Sequence, residues 1–244
     1  MPSLARQRGP PRSLDLQMAV VAGQDLAPVQ WPGKTWRRCT GAGSYLPAHR
    51  AISNQALPGE FRWEARHVTL LYTLAYPSLS AADADRIEAF RRLHDPQHDI
   101  VAAHFTLVFA CGEVVERTYV EHVASVSRMF SPISFSCRYA MLGTDEAARG
   151  YAYLVPDEGY SGISRLHDAL YGGLLADHLR LDIPFVPHMS LASSTDRPAA
   201  KRLCDELNAA GVQIHGSIER LSVAALRDGR ICKLAEFSLG CLDS

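Results

Sequence analysis

From His67 to the end of the chain, apolar positions switch repeatedly between a spacing of two and a spacing of three to four. Strands alternating with helices give that pattern. "HVTLLYTLAYP" reads as a strand that stops at Pro77. Ser80 then stands where a helix N-cap belongs, with Asp83 where a capping box more often has Glu or Gln. Ile87, Phe90 and Leu93 form that helix's apolar stripe. "HFTLVFACGEV", residues 104–114, is a second strand, and a helix from about Val115 to Phe130 carries Tyr119, Val123, Val126 and Phe130 on one face. "ISFSCRYAML" and "YAYLV" are two further strands around the polar "GTDEAARG". A helix from about Tyr160 to Leu179 is expected to bury Ile163, Leu166, Leu170 and Leu174. After the strand in "FVPHMSLASS", a helix starts near Asp196 and Pro198, turns Leu203 and Leu207 inward and stops at Gly211. "IERLSVAALRDGRICKLAEFSLG" closes the chain as two strands around an Asp228-Gly229 turn.

Two of these strands share a polar feature. Side chains in a strand alternate between faces, so His104 and Thr106 lie on one face, with Phe105 and Leu107 on the other. His188-Met189-Ser190-Leu191 repeats the arrangement of His104-Phe105-Thr106-Leu107. Each motif opens a strand reached from an earlier strand through a helix, and each is followed by another helix. The chain therefore reads as two half-units of strand, helix, histidine strand, helix and closing strands. His104 and Thr106 are expected to form one wall of a site, and His188 and Ser190 the facing wall. His67-Val68-Thr69-Leu70 is a third occurrence of the pattern, but it starts the first strand and has no counterpart in the second half.

Composition narrows the classes. Apolar residues at 47% and charged residues at 21% describe an ordinary globular chain, and 244 residues are enough to bury a sizeable core. A formal net charge of −1 argues against coating nucleic acid by bulk electrostatics, while leaving room for a phosphate pocket. No apolar run approaches membrane-spanning length, and no apolar segment follows Arg6, Arg8 and Arg12 as a secretory signal would. The six cysteines form no C-x-x-C pair, which fits reduced thiols and a cytoplasmic location. "RGPPRS", "WPGK", "TGAGS" and "ALPGE" break every period before about residue 66. Residues 1–65 are thus expected to be an irregular, poorly ordered extension, and residues 66–244 one two-lobed domain.

The paired motifs resemble the signature of the 2H phosphoesterase superfamily, which includes bacterial "2′-5′ RNA ligase" proteins and 2′,3′-cyclic-nucleotide phosphodiesterases. "HFTLVFACGEV" is similar to the family's first H-x-[ST]-x strand running on to G-E-V, with one extra residue. "FVPHMSLASS" resembles its F-x-P-H-x-T-L, and "EFSL" its terminal strand. The resemblance covers about residues 66 to 244. It implies an α+β, bilobed fold: two pseudo-symmetric lobes of antiparallel sheet plus helices around a central cleft, with the two histidines facing each other over a phosphate. It also implies a phosphodiesterase acting on a nucleotide or RNA end, with no cofactor and no metal.

The chemistry agrees on independent grounds. Opening a cyclic phosphodiester needs one group to take a proton from water and another to give one to the leaving alkoxide. Imidazole can do either near neutral pH. His104 and His188 are the expected acid–base pair, either histidine in either role, and Thr106 and Ser190 the expected hydrogen-bond donors to non-bridging phosphate oxygens. The same pair run backwards would join ends. Two departures stand out: Ser193 and Ser194 follow the second motif where the family often has a basic residue, and Ser190 replaces Thr.

Other candidates carry weaker chemistry. Tyr139, Tyr151 and Tyr153 are on strands beside the expected cleft, and Tyr139 and Tyr153 are candidates to stack on a base. Arg138 is the nearest strand arginine for a phosphate. His94, His98 and His104 would need further ligands to hold a metal, and Pro96 separates the first two. His122, His167 and His178 are expected on exposed helix faces. A monomer with no obligate protein partner is expected. The rival reading is a nucleotide- or RNA-binding module that kept the cleft and lost catalysis.

Overall fold

The structure, a computed structural model, describes residues 69–145, 147–227 and 230–240. The expectations for residues 1–65, for His67 and for the Asp228-Gly229 turn lie outside the described residues. The elements in chain order are β1 (Leu70–Ala75), β2 (Ser78–Leu79), α1 (Ala81–His94), β3 (Phe105–Cys111), α2 (Glu116–Ser127), β4 (Ile133–Thr144), β5 (Gly150–Glu158) and α3 (Tyr160–Leu170). A 3₁₀ turn (Gly173–His178) leads to β6 (Met189–Ser194), α4 (Arg197–Ala209), β7 (Ile214–Ile218), β8 (Arg220–Arg227) and β9 (Arg230–Ser238). Among the described residues no helix is long and apolar enough to cross a membrane.

All described strands join one curled antiparallel sheet in the order β2-β7-β4-β5-β6-β3-β1-β8-β9. The fold is α+β, and two half-sheets meet at the β6–β3 seam. The run β1-α1-β3-α2 on one side corresponds to β5-α3-β6-α4 on the other. The closing strands do not follow the simple half-unit order expected from the sequence. β4, which comes straight after α2, pairs with β5 in the second half, while β8 and β9 return at the end of the chain to complete the first. Each half is thus closed by strands distant in sequence from its histidine strand, an arrangement that periodicity alone does not report.

The four described helices cover one face of the sheet. Leu71, Ala75, Phe105, Leu107, Leu154 and Met189 turn toward that face, where Ile87 of α1, Tyr119 and Val123 of α2, and Ile163, Leu166 and Leu170 of α3 bury them. Cys204 of α4 packs on Ala140, Ala152 and Ala192 of the same face. With a leucine-sized side chain contributing about 1.5–3 kcal/mol on full burial, this layer is the main driving force for the fold. The opposite face, on which none of the described helices packs, carries both histidines.

Two helices depart from expectation. The helix begun at Tyr160 ends at Leu170 rather than near Leu179, because Gly172 and Gly173 follow and Gly173 takes a positive φ of 54°. Leu174, expected in the core, is consequently exposed. In α1, Ser80 caps as expected, its hydroxyl accepting from the Asp83 amide at 3.1 Å, and Ile87 is buried. Leu93, however, is 77% exposed, and Arg91 is buried in its place.

Candidate active site

The β3–β6 seam places the two motifs side by side. Phe105 and Met189 are paired across it, and both side chains are buried on the helix-covered face. Carrying this antiparallel register one residue each way puts Ser190 opposite His104 and Thr106 opposite His188. All four project from the face opposite the described helices and are partly accessible. Diagonal neighbours on such a pair are about 7–8 Å apart, so His104 and His188 flank a gap about the width of a phosphate. The walls expected on two sides of a cleft are therefore two halves of one curled sheet, continuous through its floor.

Each motif also carries a β-bulge at the same point. Between β1 and β3 the register runs Ala75↔Phe105 and Leu74↔Thr106, then skips Leu107 to Thr73↔Val108. Between β5 and β6 it runs Leu154↔Met189 and Tyr153↔Ser190, then skips Leu191 to Ala152↔Ala192. Leu107 and Val108, like Leu191 and Ala192, are consequently buried as consecutive pairs. The fourth residue of the motif is thus the bulge residue, anchored by its apolar side chain, and the local bend falls immediately after the hydroxyl residue. Bulges are frequent where a strand must aim a side chain beside a site.

The imidazoles are held by matching hydrogen bonds. His104 Nδ1–H donates to the Ala102 carbonyl at 2.8 Å, and His188 Nδ1–H donates to the Val186 carbonyl at 2.6 Å. A carbonyl can only accept, so both histidines carry hydrogen on Nδ1, and Nε2 is the nitrogen available for proton exchange. Each side chain reaches solvent on one side and is packed by protein elsewhere. That desolvation lowers the pKa of both. His188 is pushed down to about 4, burial being the larger cause and the nearby His104 charge a further one. For His104, burial dominates, Arg91 adds to the lowering, and the Ala102 bond and Asp95 oppose it.

Aromatic surroundings distinguish the two. Tyr153 stacks on His188 with centroids 3.7 Å apart and planes 25° apart, and Tyr151 stacks on Tyr153 at 5.5 Å. Tyr151 O–H in turn donates to Asp145 at 2.8 Å. His104 has Tyr76 at 5.9 Å, tilted by 58°. Tyr139 pairs with Val155 on β5 and is exposed, sharing the sheet face of Met141 and Tyr153. Arg138 is engaged by carboxylates, Asp157 at 2.5 Å and Glu158 at 2.6 Å, which answer its charge before a phosphate could.

The remaining histidines separate. His98 lies against Glu88 and Asp99, and His94 packs against Phe90 with the ring planes tilted by 49°. Among the described residues no group of three or more His, Cys, Asp or Glu gathers as a metal would need. His167, expected on an exposed helix face, is instead 3% exposed; it stacks on Phe185 at 3.7 Å, and its Nδ1–H donates to the Leu107 carbonyl at 2.9 Å. The spacing Ile163, Leu166, His167, Leu170 puts it on the buried stripe of α3, a signal present in the sequence. His122 is likewise half-buried and bonded to the Leu170 carbonyl. Gly143 is a residue sequence reasoning passed over: a Cβ there would fall 1.9 Å from the Tyr153 ring.

Two histidines with matched tautomers, matched bulges and adjoining hydroxyls thus stand together on one sheet face in a twofold-like arrangement. The sequence profile of the 2′-5′ RNA ligase superfamily matches residues 77–230. The chain belongs to that family, the two-histidine phosphoesterases. Solved structures to which the chain is similar include E. coli LigT in apo form, at 18% identity and a TM-score of 0.45, covering 71% of this chain and 99% of that one. TT0787 of Thermus thermophilus is similar at 20% identity and a TM-score of 0.49, with the same shares covered. Usb1 of Kluyveromyces marxianus is similar at 9% identity and a TM-score of 0.39, covering 68% of this chain and 97% of that one. No curated protein sequence matches the chain.

Proposed function

We propose that the protein is a metal-independent phosphodiesterase that hydrolyses a 2′,3′-cyclic phosphate, or a 2′-5′ linkage, in a nucleotide or at an RNA end. The observation that carries this reading is the pair of equivalent hydrogen bonds that commit each Nδ1–H to a backbone carbonyl two residues upstream and leave each Nε2 for the substrate. One neutral imidazole takes a proton from water as its oxygen bonds to phosphorus. The other, protonated, delivers a proton through Nε2 to the ribose oxygen as the P–O bond breaks. Thr106 and Ser190, on the same sheet face, donate to the non-bridging oxygens. Tyr139 offers an exposed ring to a base, whereas Tyr153, stacked with His188 and Tyr151, is less free to do so. Arg138, already paired with two carboxylates, contributes less than a free arginine would. The same proton transfers in reverse would join ends, but water is abundant in an open cleft and hydrolysis dominates.

The test is hydrolysis of the four 2′,3′-cyclic nucleotides in excess EDTA by the wild type, His104→Ala and His188→Ala, with the product resolved as 2′- or 3′-monophosphate. Turnover that survives EDTA and is lost in both variants is expected, and the isomer identifies the bond cut. No turnover by folded wild type on these or on 2′-5′ oligomers, with nucleotide binding retained, would favour a binding module of the same fold.

A further inference from the structure

Helix α1 sends a buried arginine into the segment that leads to His104. Arg91 is 2% exposed, while Leu93 on the same helix is 77% exposed, the reverse of what hydrophobic burial alone would select. The guanidinium donates from Nε to Asp95 at 3.0 Å, from Nη1 to both carboxylate oxygens of Glu88 at 3.0 and 3.1 Å, and from Nη2 to the Val101 carbonyl at 2.7 Å. Glu88 also accepts from the Ala103 amide at 3.1 Å. Val101 and Ala103 straddle Ala102, whose carbonyl takes the His104 Nδ1–H. The peptide that orients the catalytic imidazole is therefore pinned from both sides by one ion pair.

The second lobe reaches the same end differently. Val186 lies between Pro184 and Pro187, and neighbouring Phe185 is stacked on His167 while its carbonyl accepts from Tyr160 at 3.4 Å. Fixed proline φ angles and ring packing restrain that segment. In the first lobe no proline lies between Gln97 and His104, and the clamp supplies the restraint. Buried ion pairs are weak contributors to net stability because desolvation offsets much of the attraction. Their geometric definition is the stronger reason for one to sit here.

We propose that Arg91 and Glu88 are positioning residues for His104, holding the Ala102 carbonyl so that the imidazole keeps its Nδ1–H tautomer and presents Nε2 to the substrate phosphate. The inference rests on the two-histidine reading of the site. Arg91→Lys keeps the charge and loses the fork; Glu88→Gln keeps the shape and one acceptor and loses the charge. Both are made in the full chain, checked for folding by circular dichroism and thermal melting, and compared with wild type by ¹H–¹⁵N long-range histidine spectra, with His104→Ala assigning the His104 signals.

The His104 tautomer is expected to move from Nδ1–H toward a mixture. The kcat on a 2′,3′-cyclic nucleotide is expected to fall about 10–100-fold with KM nearly unchanged, as for residues that orient a reacting group from behind. The pH–rate limb assigned to His104, which Arg91, Asp95, His188 and Tyr76 surround, should shift with it. Folded variants with an unchanged tautomer and unchanged kcat would overturn the proposal. Should wild type hydrolyse neither a cyclic phosphate nor a 2′-5′ oligomer, the functional reading fails, yet the tautomer still decides the positioning role. If Arg91→Lys does not fold, Glu88→Gln carries the test.

Discussion

Tyr153 lies almost flat on His188, their ring centroids 3.7 Å apart, whereas the ring nearest His104, Tyr76, is tilted away at 5.9 Å. The two motifs match in backbone register, bulge and imidazole hydrogen bonding, so the ring packing is one place where the pseudo-symmetry breaks. A ring pressed on one face of an imidazole removes water from it and disfavours the cation. Tyr153→Ala is expected to raise the His188 pKa toward the ordinary histidine value and to lower kcat about tenfold. Tyr153→Phe, which keeps the ring, should leave both near wild type. Histidine NMR titrations and steady-state kinetics read the two effects separately; an unchanged His188 pKa in the alanine variant would contradict the argument.

Gly143 controls the same ring from the neighbouring strand. An added Cβ there would overlap the Tyr153 ring carbons at 1.9 Å, a contact no rotation of the methyl relieves. Gly143→Ala should therefore displace the ring and reproduce the kinetic defect of Tyr153→Ala. The double variant should be little worse than either single one, because both act through one contact. Additive losses in kcat would show that the two positions act separately.

Both histidines have their cationic form destabilised by burial, so each loses its proton at a lower pH than a free imidazole. The singly protonated pair is then most populated between the two lowered values, that of His188 lying at about 4 and that of His104 below the ordinary imidazole value. The kcat/KM profile should be a bell centred in acidic solution, with its basic limb falling about tenfold per pH unit above the higher of the two values. A profile rising up to pH 8 would be incompatible with this site. A bound phosphate favours the imidazolium, and kcat should accordingly show its basic limb at higher pH than kcat/KM.

The hydroxyl positions should differ from the histidines in what they lose. Thr106→Ala and Ser190→Ala each remove one donor to a charged oxygen, about 1.5–3 kcal/mol, or roughly 10–100-fold in kcat/KM. Thr106→Ser and Ser190→Thr retain the donor and should stay within a few-fold of wild type. Equal losses in the alanine and the hydroxyl-retaining variants would point to packing instead.

Much of this arrangement is legible in the sequence, and its limits are physical. Period-two alternation places His104 with Thr106 and His188 with Ser190, and the matching helices on either side mark the two halves. What alternation cannot give is strand order: nothing local in Phe105 or Met189 announces that they are partners across the seam, or that β8 and β9 return to the first half. The bulges at Leu107 and Leu191 are equally silent, since a bulge residue with an apolar side chain reads as part of an ordinary buried run. Arg91 is invisible because a charged residue among Arg, His and Asp reads as solvated unless its partners are known. His167 is different, because its helical spacing from Ile163 and Leu170 does mark it as inward-facing.

That inward-facing histidine gives a stability prediction separate from catalysis. The bulge at Leu107 interrupts the ladder, and the Leu107 carbonyl is satisfied by His167 Nδ1–H at 2.9 Å. His167→Phe preserves a ring against Phe185 but strands a buried acceptor, at a cost of about 1–3 kcal/mol. His167→Ala loses the ring as well and should cost more. Burial lowers the His167 pKa, so the unfolded chain takes up its proton first as pH falls below about 6.5. The contribution of neutral His167 is therefore complete above that pH and is lost on acidification. Urea melts at pH 7.5 and 5.5 should show wild type losing more stability between the two conditions than His167→Phe does. An equal loss in both proteins would mean that His167 is not held neutral in the core.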